Sequence, residues 1–305
     1  MARDPDDPGT IDLFELTPIQ RRLVEASDVI RSTPPARPDF MHGVLCQVGL
    51  PRRQTPGPTF ERTSGSVSMR VSAGELWDGS KWVEQPLPYG TRPRLALVHV
   101  SSEAVRTQSR EVDIGHSIRE FLTMLNVDTG GRGYSMFKRQ MNALAACEMK
   151  LGIGSSTLRM QPIEEFEAWL HPTGKQATLW PGTIRLSERF FETLAMHAVP
   201  LDHRALAALA NSALGMDIYT WLAHRLPRIR KPDGIKLSWA NLRDQFGQEY
   251  RAPKDFKREF EATMRSVLTV YPHAKVEREA GGIVLRPSLP PIPKTITTGW
   301  KAVEG

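Results

Sequence analysis

The stretch from Arg225 to Arg286 constrains the fold more than any other part of the chain. A run of residues suited to a strand, 235–239, is followed by two segments with helical spacing, 240–246 and 255–271. Two further strand-like runs, between Ala274 and Arg286, meet at glycines and predict a hairpin. The order strand, helix, helix and hairpin is typical of a winged helix-turn-helix, whose second helix fits the major groove of DNA.

The positive charge of the chain is concentrated in this same stretch. It holds 14 Lys and Arg against 8 Asp and Glu, a net charge of +6, which equals the formal net charge of all 305 residues. The charges of the other residues therefore cancel. Together with a pI near 9.4, this favours an acidic partner, with nucleic acid ahead of an anionic membrane.

The same order of elements is predicted a second time, earlier in the chain. After a helix over Pro88–Thr107 come, in order, a strand, two helices and two strand-like runs, at 111–114, 118–125, 134–147, 148–153 and 157–163. Phe137-Lys-Arg139 and Phe256-Lys-Arg258 lie in the long helices of the two halves, 119 residues apart, which is the length of a domain. The prediction is an α+β, mainly helical fold with two tandem winged-helix (winged helix-turn-helix) domains.

Composition divides the chain into four parts. Prolines punctuate residues 1–64, which are predicted to be a flexible N-terminal arm with one helix over Pro18–Ile30. The first winged-helix domain is placed at 65–185, the second at 186–292 and a tail at 293–305.

The first domain is predicted to open with a β-hairpin. Residues Val67, Met69 and Val71 alternate in one strand, and Asp78-Gly-Ser80 is a turn signal before a second run that begins at Trp82. Such a hairpin serves equally well as a dimer surface or as a lid on the core of its own chain.

Helical geometry separates a buried from an exposed face on the two long helices. Phe256 and Phe260 mark the buried face of the second, and Ser135, Arg139 and Asn142 are predicted to point outward on the first. Arg and Asn side chains can read base edges in the major groove, and wing strands reach phosphates. For an isolated helix a solvated surface is the better interpretation, but the repeated element order and the localised charge favour DNA. The candidate DNA-binding residues are Ser135, Lys138, Arg139, Asn142, Lys150, Arg159, Arg228, Arg230, Lys231, Lys254, Lys257, Arg258, Arg265, Lys275, Arg278 and Arg286.

Two other basic groups are weaker candidates for phosphate contacts. Arg225 begins the run that contains Arg228, Arg230 and Lys231. Arg52-Arg53 lies in a proline-rich loop, where a solvated pair is the favoured interpretation.

Features of enzymes and of membrane proteins are missing from the sequence. Gly130-Gly-Arg-Gly133 lacks the Lys-Ser/Thr ending of a phosphate-binding loop, and the 8 histidines lack the spacing of a metal site. No apolar run approaches the length of a membrane span, and Cys46 and Cys147 offer neither a disulfide framework nor a zinc set. The chain is therefore predicted to be a non-enzymatic cytoplasmic protein without cofactor, metal or membrane contact.

A series of short motifs resembles the RepA-type replication initiators of bacterial plasmids. They extend from about Leu87 to Pro290, roughly two thirds of the chain, and their order is Leu87-Pro-Tyr-Gly90, Glu103-Ala-Val-Arg-Thr107, Ser109-Arg-Glu111, Pro200-Leu-Asp202, Arg204-Ala-Leu206, Asp217-Ile-Tyr-Thr-Trp-Leu222 and Tyr271-Pro-x-Ala274. The resemblance implies binding to repeated double-stranded DNA sites at a plasmid origin, strand opening with help from a host replication initiator, and recruitment of a helicase. It would also fit repression of the protein's own promoter, and a homodimer or a monomer–dimer equilibrium.

Two alternatives to this main hypothesis stay open from the sequence. One keeps the DNA binding but makes the protein a transcriptional repressor only. The other makes the winged helices protein-interaction modules, whose binding, unlike that of a DNA-binding protein, would be insensitive to salt.

Overall fold

The computed structural model describes residues 16–125, 130–165 and 182–293 of the chain. Within these ranges the protein is a mixture of helices and small antiparallel sheets that share an apolar core. The helices are α1 Pro18–Ser32, α2 Thr91–Thr107, α3 Ile118–Met124, α4 Gly131–Ala146, α5 Glu188–His197, α6 His203–Leu209, α7 Ala213–Arg225, α8 Trp239–Phe246 and α9 Pro253–Val270. The strands are β1 Asp39–His42, β2 Thr59–Ser64, β3 Val67–Ser72, β4 Glu75–Trp77, β5 Trp82–Glu84, β6 Glu111–Asp113, β7 Glu148–Ile153, β8 Ser156–Arg159, β9 Ile163–Glu165, β10 Thr183–Leu186, β11 Ala198–Leu201, β12 Ile235–Ser238, β13 Val276–Glu279 and β14 Gly282–Leu285.

The charged stretch folds in the predicted order, with β12, α8, α9 and the β13–β14 hairpin. Strand β14 is central and pairs with both β12 and β13, so the hairpin and the leading strand form one three-stranded sheet. Gly282 is required there because a Cβ atom at this position would stand 1.9 Å from the carbonyl oxygen of Leu237 on β12. Ser238 caps α8 in a capping box with Asn241, and Pro253 occupies the first turn of α9.

The first unit has the same element order but different strand pairing. Its hairpin, β7–β8, extends the sheet β2–β3–β7–β8, whereas β6 pairs with β10 in a separate sheet. In the second unit the corresponding leading strand pairs with its own hairpin. The two units therefore have the same order of strands and helices along the chain but different strand pairing.

The predicted pairing of the leading hairpin is wrong, because each of its two strands pairs with another strand. Strand β3 buries Val67, Met69 and Val71 as predicted and pairs with β2 across a two-residue turn. Gly65 has a φ of 58° at the first central position of that turn, the conformation that a II′ turn assigns to glycine. The Asp78-Gly79 turn instead joins β4 to β5, in which Trp77 and Trp82 are opposite neighbours. The turn at Gly65 determines the pairing of β3, because it joins β2 to β3 through only two residues.

Residues 1–64, predicted as a flexible arm, are packed against later parts of the chain from Pro18 onward. Thr17 and Gln20 form a capping box for α1, which packs against α6 and α9 and buries Leu23. Strand β1 pairs with β11. The predicted domain boundaries stay predictions. Residues 1–15, most of the connection between the halves (166–181) and the tail from 294 lie outside the described residues.

Candidate nucleic-acid interface

Helix α9 has one apolar and one cationic face. Phe256, Phe260, Met264 and Val267 are buried, as predicted. The opposite side exposes Lys254, Arg258 and Arg265, which we call the α9 face. The Arg258 side chain is 78% exposed, and its Nη2 lies 3.3 Å from the Asp255 carboxylate. Such an exposed pair contributes only about 0.2–1 kcal/mol, so a phosphate or a base edge can displace it.

Lys257 lies on the flank of the same helix. Its ammonium group is 5.0 Å from the ring centroid of Trp239, the first residue of α8. The cation–π contact holds this charge beside the α9 face rather than on it. Lys257 is thus suited to a phosphate at the side of a groove.

The β13–β14 hairpin carries three of the predicted residues, two of them already paired. The Arg286 guanidinium donates to both carboxylate oxygens of Glu277, at 2.5 and 2.7 Å. Those hydrogen bonds lower the pKa of Glu277 and raise that of Arg286. Arg278 lies 3.3 Å from Glu261. The exposed Lys275 forms no ion pair within the described residues, so of these three side chains it is the most available to an anion.

The predicted phosphate-binding run follows α7. Arg228 ends a single 3-10 turn and donates from its guanidinium to the carbonyl oxygen of His224. Arg230 and Lys231 are exposed in the loop before β12 and have no carboxylate partner in the part of the chain that the structure describes.

In the first unit the structure corrects one residue on α4. Ser135 and Arg139 are exposed, and Lys138 is half-buried, which lowers its pKa. Asn142 is only 4% exposed, so the prediction that it points outward is wrong. The physical reason is that α4 packs against α2 and also against β9 and β4, which leaves a narrower exposed stripe than one packing partner would.

A row of three cations crosses the outer face of the β2–β3–β7–β8 sheet. Arg70 is directly opposite Lys150, and Lys150 is directly opposite Arg159. Paired residues project to the same face, and neighbouring strands are about 4.8 Å apart. Glu61 pairs with Arg70, but Lys150 and Arg159 form no ion pair within the described ranges. Like charges in register repel one another, so this cation row favours an anionic partner. Arg70 was missed because the strand register that aligns it is invisible in the sequence.

A buried arginine–carboxylate network was also missed, and it corrects the interpretation of Arg52. Arg94 binds the Asp217 carboxylate with two hydrogen bonds, of 2.7 and 2.9 Å. Arg62 donates to Glu249 at 2.6 Å and lies 3.6 Å from Asp217. Arg52 contacts both carboxylates and is buried, so it is not a solvated loop residue. Arg53 remains at the surface, 5.8 Å from the ring of Tyr250.

The charges of this network determine its protonation states. Burial alone would raise the pKa of Asp217, but the charges of Arg94, Arg52 and Arg62 outweigh it and the pKa is lowered. The same balance lowers the pKa of Glu249. Burial and the neighbouring Arg52 lower the pKa of Arg62 to about 10, so it stays charged at neutral pH. The network therefore holds three positive and two negative charges away from water.

Comparison with known proteins decides the family. Residues 87–241, just over half of the chain, match the family described as plasmid-encoded RepA protein, RepA_C. The chain belongs to this family. The resemblance to RepA-type replication initiators is thus confirmed, and a plasmid replication initiator is the role that the family supports.

The RepA-family match covers only part of the candidate interface. It runs from the loop before α2 to the start of α8, and so includes α4, β7, β8 and both Arg94 and Asp217. It ends at Asn241, before α9 and the β13–β14 hairpin. Arg52, Arg62 and Glu249 also lie outside it, so the network joins the matched span to segments on both of its sides.

Two solved structures resemble this RepA-family chain in overall shape. Both are of domains 2 and 3 of RctB, each with a TM-score of 0.47 and 11% identity. One match covers 79% of this chain and 94% of the other, and the second covers 86% and 96%. A likeness at this level assigns neither a fold type nor a function. No curated protein matches the chain.

Two negative findings hold for the described residues. None of their helices is long and apolar enough to cross a membrane. None of their His, Cys, Asp and Glu side chains form a group that could hold a metal ion. Cys46 and Cys147 are free and buried, and burial raises the pKa of both thiols.

Proposed function

We propose that this RepA-family protein binds repeated duplex sites at a plasmid origin and thereby initiates plasmid replication. The observation that carries the proposal is the α9 face, an exposed row of cations on a helix whose other side is fixed in the core. The helix stands in a strand, helix, helix, hairpin unit with a three-stranded sheet, which supports the interpretation of this unit as a winged helix.

The spacing along α9 suits a major groove. Arg258 and Arg265 are seven residues apart, which places them on one side of the helix and about 10.5 Å apart along its axis. That distance corresponds to about three base pairs at 3.4 Å each. Either arginine can donate two hydrogen bonds to a guanine edge, so α9 is the element we assign to sequence recognition.

The other cations are assigned to the phosphate backbone. Among the described residues, Arg230 and Lys231 before β12 and Lys275 before β13 have no carboxylate partner. The cation row offers a second contact area on the first unit. Two elements that read successive grooves should protect sites about 10 base pairs apart, centre to centre. A footprint confined to one groove segment would contradict the two-unit arrangement.

Initiation itself is proposed to be non-enzymatic. Binding at the repeats would open the neighbouring strands with a host replication initiator and recruit a helicase, and the same binding could repress the protein's own promoter. A homodimer or a monomer–dimer equilibrium belongs to this proposal. A plasmid that carries only the candidate origin, with this gene supplied in trans, tests initiation against repression alone. Failure of that plasmid to be maintained would favour the repressor.

The residue assignment is tested by comparing Arg258→Ala with Lys231→Ala. We expect Arg258→Ala to reduce the discrimination between a specific duplex and a scrambled one by about 1–3 kcal/mol. Lys231→Ala should weaken both duplexes alike and reduce the slope of log K against log[salt] by about 0.9. Equal losses on every sequence from both variants would refute the division of roles. Arg22→Gln, an exposed change on α1, is the control.

A further inference from the structure

A cleft with a mixed polar and apolar lining separates the β2–β3 turn from helix α8. Its volume is about 730 Å³, and it is lined by residues 63–65, by Arg225 and Leu237, and by residues 241, 243–245, 247, 248 and 250. We call it the α8 cleft. It lies apart from the α9 face, whose three cations are not among its lining residues.

Arg225 gives the cleft an unsatisfied cationic donor. This last residue of α7 is half-buried, and its Nε–H is buried without a hydrogen-bond partner among the described residues. A buried donor without a partner is unfavourable. Arg225 also lines the cleft, so an anion there can interact with its guanidinium charge. Burial also lowers the pKa of Arg225, and no carboxylate offsets this effect. An anion in the cleft would act in the opposite direction to burial and stabilise the guanidinium charge.

The neighbouring side chains add further donors. Arg243 is half-buried in the same cleft and makes no ion pair within the described residues. The Oδ1 atom of Asn241 accepts from the backbone and hydroxyl of Ser238, at 3.3 and 2.7 Å, which leaves the amide N–H groups to donate. Gln248 likewise uses its Oε1 to accept from Arg62, at 3.5 Å. Two guanidinium groups and two amides therefore supply more donors than a carboxylate could accept, and they suit a phosphate group.

One lining residue opposes an anion. Of the described residues that line the cleft, Asp244 is the one carboxylate, and it is exposed. Two cations against one carboxylate leave a net positive charge. Replacing Asp244 by Asn should therefore strengthen anion binding, whereas replacing either arginine should weaken it.

We propose that the α8 cleft binds a phosphate group through Arg225 and Arg243, separately from the groove-reading helix. A phosphodiester of duplex DNA is one source of that group, and this source rests on the proposed function. A free nucleotide such as ATP is the other source, and this source does not depend on the proposed function.

The duplex arm of the test measures affinity for a specific and a scrambled duplex between roughly 50 and 200 mM salt, where counterion release makes phosphate contacts visible. For Arg225→Gln and Arg243→Gln we expect a slope reduced by about 0.9, equally on both duplexes, because each removes one phosphate contact. Asp244→Asn should bind both duplexes more tightly, and Arg22→Gln should match the parent protein. If Arg225→Gln lowers the melting temperature of the protein, its loss of binding is not informative. The Arg243→Gln variant and Asp244→Asn, whose side chain is exposed, then decide whether the cleft binds a phosphate.

The nucleotide arm measures binding of ATP and of inorganic phosphate to the same variants. Loss of ATP or phosphate binding in Arg225→Gln and Arg243→Gln, with unchanged duplex slopes, would support the cleft and identify the free nucleotide as the source. Parent-like binding of duplex, ATP and phosphate by both variants would overturn the inference and leave the proposed function intact. A parent protein that binds no duplex would instead refute the proposed function, and the nucleotide arm alone would then decide the cleft.

Discussion

Replacing Asp217 by Asn is the most severe single test of the arginine–carboxylate network. The change keeps the size of the side chain and removes one of the two negative charges that face Arg52, Arg62 and Arg94. Removing one partner of a buried ion pair typically costs about 3–5 kcal/mol, because the other charge is left without compensation. Here three guanidinium groups lose a partner at once, so we expect the upper half of that range.

Some interactions of Arg94 survive the change. Its guanidinium also donates to the backbone carbonyls of Leu50, Pro51 and Gly90, at 2.6–3.1 Å. These acceptors keep the arginine hydrogen-bonded but do not neutralise its charge. We therefore expect Asp217→Asn to lower the free energy of unfolding by about 4 kcal/mol, a large fraction of the 5–15 kcal/mol that is usual for a folded protein.

Urea denaturation followed by circular dichroism at pH 7 measures this loss. Asp202→Asn is the matched control, since Asp202 is also buried but, among the described residues, forms an ion pair with Arg204 only. The double variant Asp217→Asn with Arg94→Met should lose less than the sum of the single variants, because it removes both members of the closest pair. A loss below about 1 kcal/mol for Asp217→Asn would refute the account, since it would mean that water already screens the three arginines.

Three further outcomes are expected. The His42 ring accepts from the Val44 N–H and contacts the Thr193 hydroxyl at 3.0 Å, and burial and His197 lower its pKa to about 4. Its neutral form is stabilising, so its contribution should be complete above about pH 6.5 and fall by about 2 kcal/mol at pH 5. Burial also lowers the pKa of His224 to about 4 and lowers that of His99, so denaturation curves of His42→Gln should lack the His42 part of the loss and keep the rest. Gly282→Ala should destabilise the protein by about 1–3 kcal/mol through its clash with β12. Gly152→Ala, where the nearest neighbouring atom is 3.8 Å from the added carbon, should be tolerated by comparison; equal losses would contradict the packing argument. The double variant Lys150→Ala with Arg159→Ala should weaken all duplexes without changing base preference, and an altered preference would assign the cation row to recognition.

Local patterns predicted much of the secondary structure. The spacing of Phe256, Phe260, Met264 and Val267 defined α9, because a helix with one packed face repeats every 3.6 residues. Thr17 and Pro18 predicted the start of α1, because both satisfy a helix N-terminus chemically. These features depend on neighbours within a few residues, and the sequence displays such neighbours directly.

Features that depend on distant partners were not predictable in this way. The cation row exists only through the register of β3, β7 and β8, and the network joins Arg52 to Glu249 across almost 200 residues. One signal was available for Arg62. It alternates in phase with the buried Phe60 on β2, so its position pointed inward although its charge suggested the surface. Asn142 was predicted to be exposed because it is polar and lies on the predicted outer face of α4. It is buried because that helix is packed on more than one side.

The pairing of β1 with β11 has a consequence for how the protein is made. Residues 39–42 leave the ribosome early, but their partner residues 198–201 follow only after about 155 more have been added, a long loop to close. Helix α2, which packs against β1 and accepts a hydrogen bond from the Phe40 N–H through Ser102, is made much earlier than β11. Synthesis therefore leaves β1 with a helix to pack against but without a strand partner until Leu201 has emerged.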